Sequence, residues 1–73
     1  MSEYNRPRKN PYDIIAVRAT MDGRTVRIIH DYDEDIYWVG INLTLENLHE
    51  GGPYGCRTCY DKEDARAEME DMI

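Results

Sequence analysis

Residues 31–41 read Asp-Tyr-Asp-Glu-Asp-Ile-Tyr-Trp-Val-Gly-Ile, an acidic run that leads directly into an apolar and aromatic one. The first five residues contain four carboxylates. Unpaired carboxylates are very costly to bury, so we expect residues 31–35 to be exposed. Residues 36–41 are rich in β-branched and aromatic side chains and include the only tryptophan, which is typical of a strand that is at least half-buried. The sequence therefore predicts a solvent-facing anionic turn on a β-sheet.

Two further β-rich runs, 12–20 and 24–30, precede the acidic run and flank the dipeptide Asp22-Gly23. Asp-Gly between such runs indicates a hairpin with a two-residue type I′ turn, because both turn residues need positive φ. That turn fixes a register whose predicted pairs are Ala19–Val26, Val17–Ile28, Ile15–His30 and, on the other face, Arg18–Arg27. The last pair places like charges side by side, which favours a neighbouring anion, either one of the chain's own carboxylates or a bound phosphate.

The acidic run then forms a second turn, and residues 36–42 return as a third strand. Alternation places Ile36 and Trp38 on one face and Tyr37 and Val39 on the other. Because both faces are apolar, we expect this strand to be central or covered on both sides. Gly40 predicts a bulge or a close approach of another segment.

The C-terminal third adds a short edge strand at 56–60 and a helix at 61–72 with Asp61 as its N-cap. One apolar stripe follows the helix at Ala65, Met69 and Met72. Residues 43–52 allow either a helical turn between Thr44 and Gly51 or an extension of the third strand. The predicted fold class is α+β, a three- or four-stranded antiparallel meander with one C-terminal helix packed on a face. Residues 1–11 are predicted to be a mobile basic arm, and residues 12–73 a single domain.

The charge of the chain limits its partners. The formal net charge is -6, and residues 28–73 carry 12 of the 15 acidic residues. Such a chain is repelled by nucleic acid and by anionic lipid, so basic proteins are the expected partners. No apolar run is long enough to span a membrane, and the first residues do not resemble a signal peptide. We therefore expect a cytoplasmic protein with reduced cysteines.

A metal site is one alternative. Cys56 and Cys59 form a CxxC motif, and together with His30 and His49 they complete the donor set of a tetrahedral zinc site. Both histidines precede the cysteines, unlike the usual zinc finger, and a strand at 56–60 points the two sulfur atoms to opposite faces. A redox CxxC is a weaker alternative, because acidic residues at the start of the helix raise a thiol pKa. No catalytic motif is recognised, and we expect no enzymatic activity and no cofactor.

The remaining hypothesis makes the carboxylates a binding surface. The predicted partner-binding residues combine the acidic run with its flanking tyrosines and the outer side of the helix: Asp31, Tyr32, Asp33, Glu34, Asp35, Tyr37, Glu63, Asp64 and Glu68. Carboxylates on a stiff support can imitate the phosphates of a nucleic acid and enter a groove lined by Arg and Lys. A purely solubilising role for the acidic surface is the alternative.

In length, composition and the run 31–35, the chain resembles small phage-encoded inhibitors of host defence, including anti-CRISPR proteins that mimic DNA. The resemblance is one of class, rests on no motif and carries over no residue. It implies a non-enzymatic inhibitor in the host cytoplasm that binds a nucleic-acid-binding protein and not the nucleic acid itself. A small zinc-binding module at Cys56 and Cys59 is the alternative function. A homodimer that covers an apolar face of strand 36–42 is a third hypothesis.

Overall fold

The structure, a computed structural model, describes residues 11–48 and 55–73. Within these ranges the chain forms strands β1 (Tyr12–Ala19), β2 (Thr25–Asp31), β3 (Ile36–Ile41) and β4 (Cys56–Cys59), followed by helix α1 (Lys62–Met72). The four antiparallel strands lie in the order β1-β2-β3-β4, so strands adjacent in the chain are adjacent in the sheet. The predicted α+β meander with a C-terminal helix is confirmed.

The first hairpin differs from the predicted one by a single residue. Gly23 N–H donates to the Thr20 carbonyl at 3.1 Å, and Thr20 N–H donates to the Arg24 carbonyl at 2.8 Å. Gly23 has a φ of 90°, which is the left-handed position of a three-residue loop. The observed pairs are Ala19–Thr25, Arg18–Val26 and Val17–Arg27. The predicted pairs Ala19–Val26, Val17–Ile28, Ile15–His30 and Arg18–Arg27 are therefore wrong.

Side chains within the loop explain the extra residue. Arg24 N–H donates to Thr20 Oγ1 at 2.8 Å, and the Thr20 hydroxyl donates to the Asp22 carboxylate. The Arg24 guanidinium lies 2.7 Å from Asp22 Oδ2. Hydrogen bonds from Arg24 and then from Thr20 lower the pKa of Asp22 to about 2. Thr20 and Asp22 thus stabilise a loop that is longer than the Asp-Gly dipeptide alone indicates.

A β-bulge interrupts β1. Ile14 lies opposite Ile29 and Ala16 lies opposite Ile28, which leaves Ile15 as an extra residue. Ile15 and Ala16 both pack against the helix-side core. Compared with a regular strand, the bulge therefore places the side chain of every earlier β1 residue on the opposite face of the sheet.

Both faces of the sheet are covered. Helix α1 closes one face over a core of Val26, Ile28, Val39, Cys59, Ala65 and Met69. Segment 43–48 covers the other face, where its Leu43 and Leu48 form a buried cluster with Ile29 of the sheet. The partly buried side chains of Tyr12, Trp38, Leu45 and Cys56 pack against this cluster. Val39 and Trp38 thus belong to opposite sides, which confirms that β3 is central and covered on both.

Segment 43–48 begins with a reciprocal cap. Thr44 N–H donates to Asn47 Oδ1 at 2.7 Å, and Asn47 N–H donates to Thr44 Oγ1 at 3.1 Å. This pattern resembles a capping box and supports Thr44 as the start of a helical turn. The predicted end of that turn at Gly51 lies outside the described residues. Arg27 fixes the segment to the sheet by donating to the Leu43 carbonyl at 3.0 Å.

Helix α1 begins as predicted. The Asp61 carboxylate accepts the Asp64 N–H at 2.9 Å, which confirms Asp61 as the N-cap. Ala65 and Met69 are its buried residues, in agreement with the predicted stripe. No helix in the described part of the chain is long and apolar enough to cross a membrane.

Candidate functional site at the acidic end of the sheet

The topology brings two acidic segments to one end of the sheet. Tyr37, near the start of β3, pairs with Cys59 at the end of β4. The turn 32–35 leads into β3 and helix α1 follows β4, so the turn and the first turn of the helix lie at the same end. We call this region the acidic end and define it by Asp13, Tyr32, Asp33, Glu34, Asp35, Tyr60, Asp61, Glu63 and Asp64.

Asp31 does not belong to this surface, although it is the first carboxylate of the acidic run. Its side chain is buried, at 5% exposure. Asp31 Oδ1 accepts the backbone N–H groups of Asp33 at 3.0 Å and of Glu34 at 3.3 Å. The prediction that the whole run is exposed is therefore wrong at Asp31. The physical reason is that the turn itself supplies the hydrogen-bond donors that water would otherwise provide.

The other end of the turn is held by a histidine between two tyrosines. Asp35 has a left-handed φ of 57°, and its Oδ1 lies 3.1 Å from His30 Nε2. The His30 ring stacks on Tyr37 with centroids 4.4 Å apart and lies 4.2 Å from the Tyr32 ring in a tilted arrangement. Asp35 itself remains 84% exposed. His30 is thus a support for the acidic turn.

The two tyrosines predicted as partner contacts have different environments. Tyr37 is half-buried and packs against the helix-side core, so it supports the turn from below. Tyr32 is 48% exposed, and its hydroxyl donates to Asp13 Oδ2 at 3.4 Å. Tyr60 is 76% exposed at the same end. Tyr32 and Tyr60 are therefore the aromatic side chains that the acidic end offers to a partner.

The predicted helix residues also separate into two groups. Glu63 and Asp64 are exposed in the first turn of α1, which places them at the acidic end. Glu68 is half-buried and forms an ion pair with Arg57 of β4. The charge of Glu68 is thus already paired within the chain, whereas a partner-binding carboxylate is expected to be available to the partner.

The sequence prediction omitted Asp13, Tyr60 and Asp61 from the site. Asp13 lies opposite His30 in the register, and Tyr60 and Asp61 connect β4 to α1. The order of the meander is the signal that identifies them, because an antiparallel β4 must end beside the turn that begins β3.

The two cysteines lie on opposite faces of β4. Cys56 packs in the cluster beneath segment 43–48, and Cys59 belongs to the helix-side core. Burial raises the pKa of both thiols, and the carboxylates of Glu68, Asp64 and Asp61 raise that of Cys59 further. This geometry does not favour the predicted zinc site, which needs both sulfur atoms as thiolates at one ion.

The histidines of the predicted zinc site do not complete a set of four ligands around the cysteines in the part of the chain that the structure describes. His30 is separated from Cys59 by Tyr37 in the sheet register and is engaged by Asp35. His49 lies outside the described residues. Within residues 11–48 and 55–73, no group of three or more His, Cys, Asp or Glu side chains is arranged to hold a metal ion.

The fold and the site define the chain as a small α+β protein with an anionic, tyrosine-bearing end. Comparison with protein-family models, with curated proteins and with solved structures found no match.

Proposed function

We propose that this chain is a non-enzymatic protein that binds a basic surface of another protein through its acidic end. One observation carries the proposal: two acidic segments far apart in the sequence, the turn 32–35 and the start of α1, meet at one end of the sheet. A solubilising surface needs no such convergence, because scattered charges serve it equally well. Concentrated charge accelerates association with an oppositely charged partner and excludes acidic ones.

The carboxylates at this end are exposed on a stiff support. Asp33 and Glu34 follow the buried carboxylate of Asp31, which accepts their backbone N–H groups. Glu63 and Asp64 are carried by the first turn of α1. Fixed charges lose little conformational entropy on binding, so they suit recognition of a preformed groove. Tyr32 and Tyr60 add aromatic surface of the kind enriched at interface hot spots.

In its most concrete form, the proposal is nucleic-acid mimicry. The acidic end would occupy an Arg- and Lys-lined groove of a nucleic-acid-binding complex in place of phosphates. A phage-encoded inhibitor of a host defence complex, acting in the host cytoplasm, fits this chemistry. Such an inhibitor needs neither a catalytic group nor a cofactor.

Capture from a host extract on immobilised protein tests the proposal. Wild-type protein is compared with the double variant Asp33→Lys, Glu34→Lys, which reverses two exposed charges at the acidic end. The control Glu46→Lys, Asp71→Lys makes the same change in net charge at exposed positions that are not among the residues of the acidic end. We expect the acidic-end variant to bind the captured complex at least about tenfold more weakly, and the control to bind like the wild type.

Two further readouts connect the captured complex with mimicry. A short DNA or RNA duplex should displace the wild-type protein from it, and binding should weaken steeply as salt rises, because the contact depends on charge. Equal capture by both double variants would contradict a role of the acidic end. If capture depends on the acidic end but a nucleic-acid duplex does not displace the protein, the proposal of a basic protein partner stands and nucleic-acid mimicry is rejected.

A further inference from the structure

The open edge of β1 is a second candidate surface. It shares Asp13 with the acidic end, but self-association through it does not require the function proposed above. In the described part of the chain, β1 pairs with β2 alone. None of its residues is fully buried, and Ile14 and Val17 are 38% and 54% exposed. We propose that a second copy of this chain pairs antiparallel with this edge, so that the two four-stranded sheets become one continuous sheet.

Hydrogen bonds at both ends of β1 show which peptide groups face the open edge. At one end Thr20 N–H donates across the hairpin at 2.8 Å, and at the other the Pro11 carbonyl accepts from the acidic turn at 2.9 Å. Residues of an antiparallel strand alternately direct their peptide groups toward a neighbour and away from it. The peptide groups of Thr20 face β2, so by alternation those of Val17, three residues earlier, face the open edge. The Pro11 carbonyl also faces β2, so the peptide groups of Ile14, three residues later, face the open edge as well.

The bulge makes these two counts compatible. Ile14 lies opposite Ile29, and Val17 lies opposite Arg27. Ile29 and Arg27 are two residues apart on β2, so they share a face, and so do Ile14 and Val17. In a regular strand without the bulge, Ile14 and Val17 are three residues apart and their side chains would point to opposite faces. With the bulge, the open edge presents both apolar side chains on one face, and the peptide groups of both residues point outward.

The edge is complementary to itself. Around a two-fold axis perpendicular to the sheet, Ile14 of each copy lies opposite Val17 of the partner subunit, and Asp13 lies opposite Arg18 of the partner subunit. The first pair covers the exposed apolar side chains. The second pair lies on the helix side, since Asp13 faces His30 and Arg18 faces Val26 in the register. Arg18 already contacts Glu70 of its own chain at 3.1 Å, and in the dimer its guanidinium would lie between that carboxylate and Asp13 of the partner subunit.

A second copy fits this edge better than an unrelated strand does. Residues 13–18 read Asp-Ile-Ile-Ala-Val-Arg, with an acid at one end, a base at the other and apolar residues between. Reversing the segment matches each charge to its opposite and each apolar residue to another. Bulges commonly protect sheet edges from such pairing. Here the bulges of both copies meet at the two-fold axis, between the aligned peptide groups, and do not offset them.

Sedimentation equilibrium of the full chain tests the dimer. We expect the mass to rise from 8.6 kDa toward twice that value as concentration increases. The variant Val17→Pro removes an N–H that faces the open edge and leaves the hydrogen bonds to β2 in place, so it should remain monomeric with an unchanged circular dichroism spectrum. Met21→Pro is the control, because Met21 is 92% exposed in a turn position that accepts proline.

A charge-exchange experiment tests the register without proline. Asp13→Arg and Arg18→Asp each place like charges at the predicted pair, so each variant alone should lose self-association. An equimolar mixture of the two should form a heterodimer, because every pair then joins opposite charges. A wild-type chain that stays monomeric up to about 1 mM, or a Val17→Pro variant that dimerises like the wild type, would overturn the proposal. So would a mixture that stays monomeric.

Discussion

At the scale of single residues, Asp31 and Asp35 show that neighbouring carboxylates of one acidic run have different roles. Asp31 is buried and accepts two backbone N–H groups of the turn. Asp35 is exposed and adopts the left-handed conformation that ends the turn, which aspartate tolerates better than most residues. The sequence rule that carboxylates stay exposed treats water as their only donor, so it fails where a tight turn provides N–H groups.

The buried carboxylate should contribute measurably to stability. Asp31→Ala removes the acceptor of two turn N–H groups, and we expect it to lower the free energy of unfolding by about 1–3 kcal/mol. Asp31→Asn is the matched control, since it keeps an oxygen at the same position and should lose less. Urea denaturation of the three proteins measures the difference. An alanine variant as stable as the wild type would mean that Asp31 is not needed to hold the turn.

Asp22 links the stability of the first hairpin to pH. Hydrogen bonds from Arg24 and Thr20 lower its pKa from 3.8 to about 2. Because the folded value lies below the unfolded one, the carboxylate stabilises the fold above about pH 4, and this contribution is lost as pH falls through about 2. We expect the wild type to be more stable than Asp22→Asn above pH 4 and to lose that advantage between pH 4 and 2.

Thermal unfolding of both proteins at a series of pH values measures this effect. The difference between their melting temperatures should be constant above about pH 5 and should shrink in more acidic buffer. A difference that does not change with pH would show that the Asp22–Arg24 pair does not form in solution.

At the scale of the elements, β3 depends on the absence of a side chain at Gly40. A Cβ at this position would lie 3.0 Å from the Cβ of Cys56 and 3.2 Å from the Gly55 carbonyl oxygen. This finding confirms the predicted close approach of another segment. The Cβ of Leu43 would lie 3.4 Å from the added Cβ, so three neighbouring groups limit the space at this position.

The close contact predicts the result of a substitution. We expect Gly40→Ala to lower the free energy of unfolding by about 1–3 kcal/mol, because β4 must move away from β3. Cys56→Gly removes the nearest atom, so the cost of Gly40→Ala should be smaller when measured in that background. Chemical denaturation of the four proteins of this cycle provides the comparison. Equal costs in the two backgrounds would place the strain elsewhere than at Cys56.

The strands and the helix could be predicted from the sequence because their signals are local. Period-two alternation placed Tyr37 and Trp38 on their faces, and the chemistry of capping identified Asp61. The hairpin register could not be predicted from Asp-Gly alone, because Thr20 and Asp22 add side-chain hydrogen bonds that favour a longer loop. The bulge at Ile15 has no local sequence signal, since it depends on how β1 meets β2 and the helix.

At the scale of the whole molecule, the carboxylates fall into two groups, those that form salt bridges with arginines and those at the acidic end. Among the described residues, three arginine–carboxylate salt bridges form, and all of them use carboxylates outside the acidic end: Arg18–Glu70, Arg24–Asp22 and Arg57–Glu68. Lys62 is the one Lys or Arg within residues 30–35 and 59–65. The sequence predicted the acidic turn, but the addition of the helix start depends on the pairing of β4 with β3, a tertiary contact that residue patterns do not contain.

The nearest-neighbour order of the sheet also bears on how the chain reaches its native state. Strands β1, β2 and β3 are joined by the short connections 20–24 and 32–35, so closing these two hairpins costs little loop entropy, and the longer connection 42–55 adds only a modest further cost for the β3–β4 pair. Folding can proceed by adding one hairpin to the next, and chains with such local contacts fold faster than those with distant strand pairs. The helix-side core is complete only when α1 packs on the sheet, because Ala65 and Met69 of the helix belong to it. During synthesis all four strands emerge before α1, so the sheet can form before the helix packs on it.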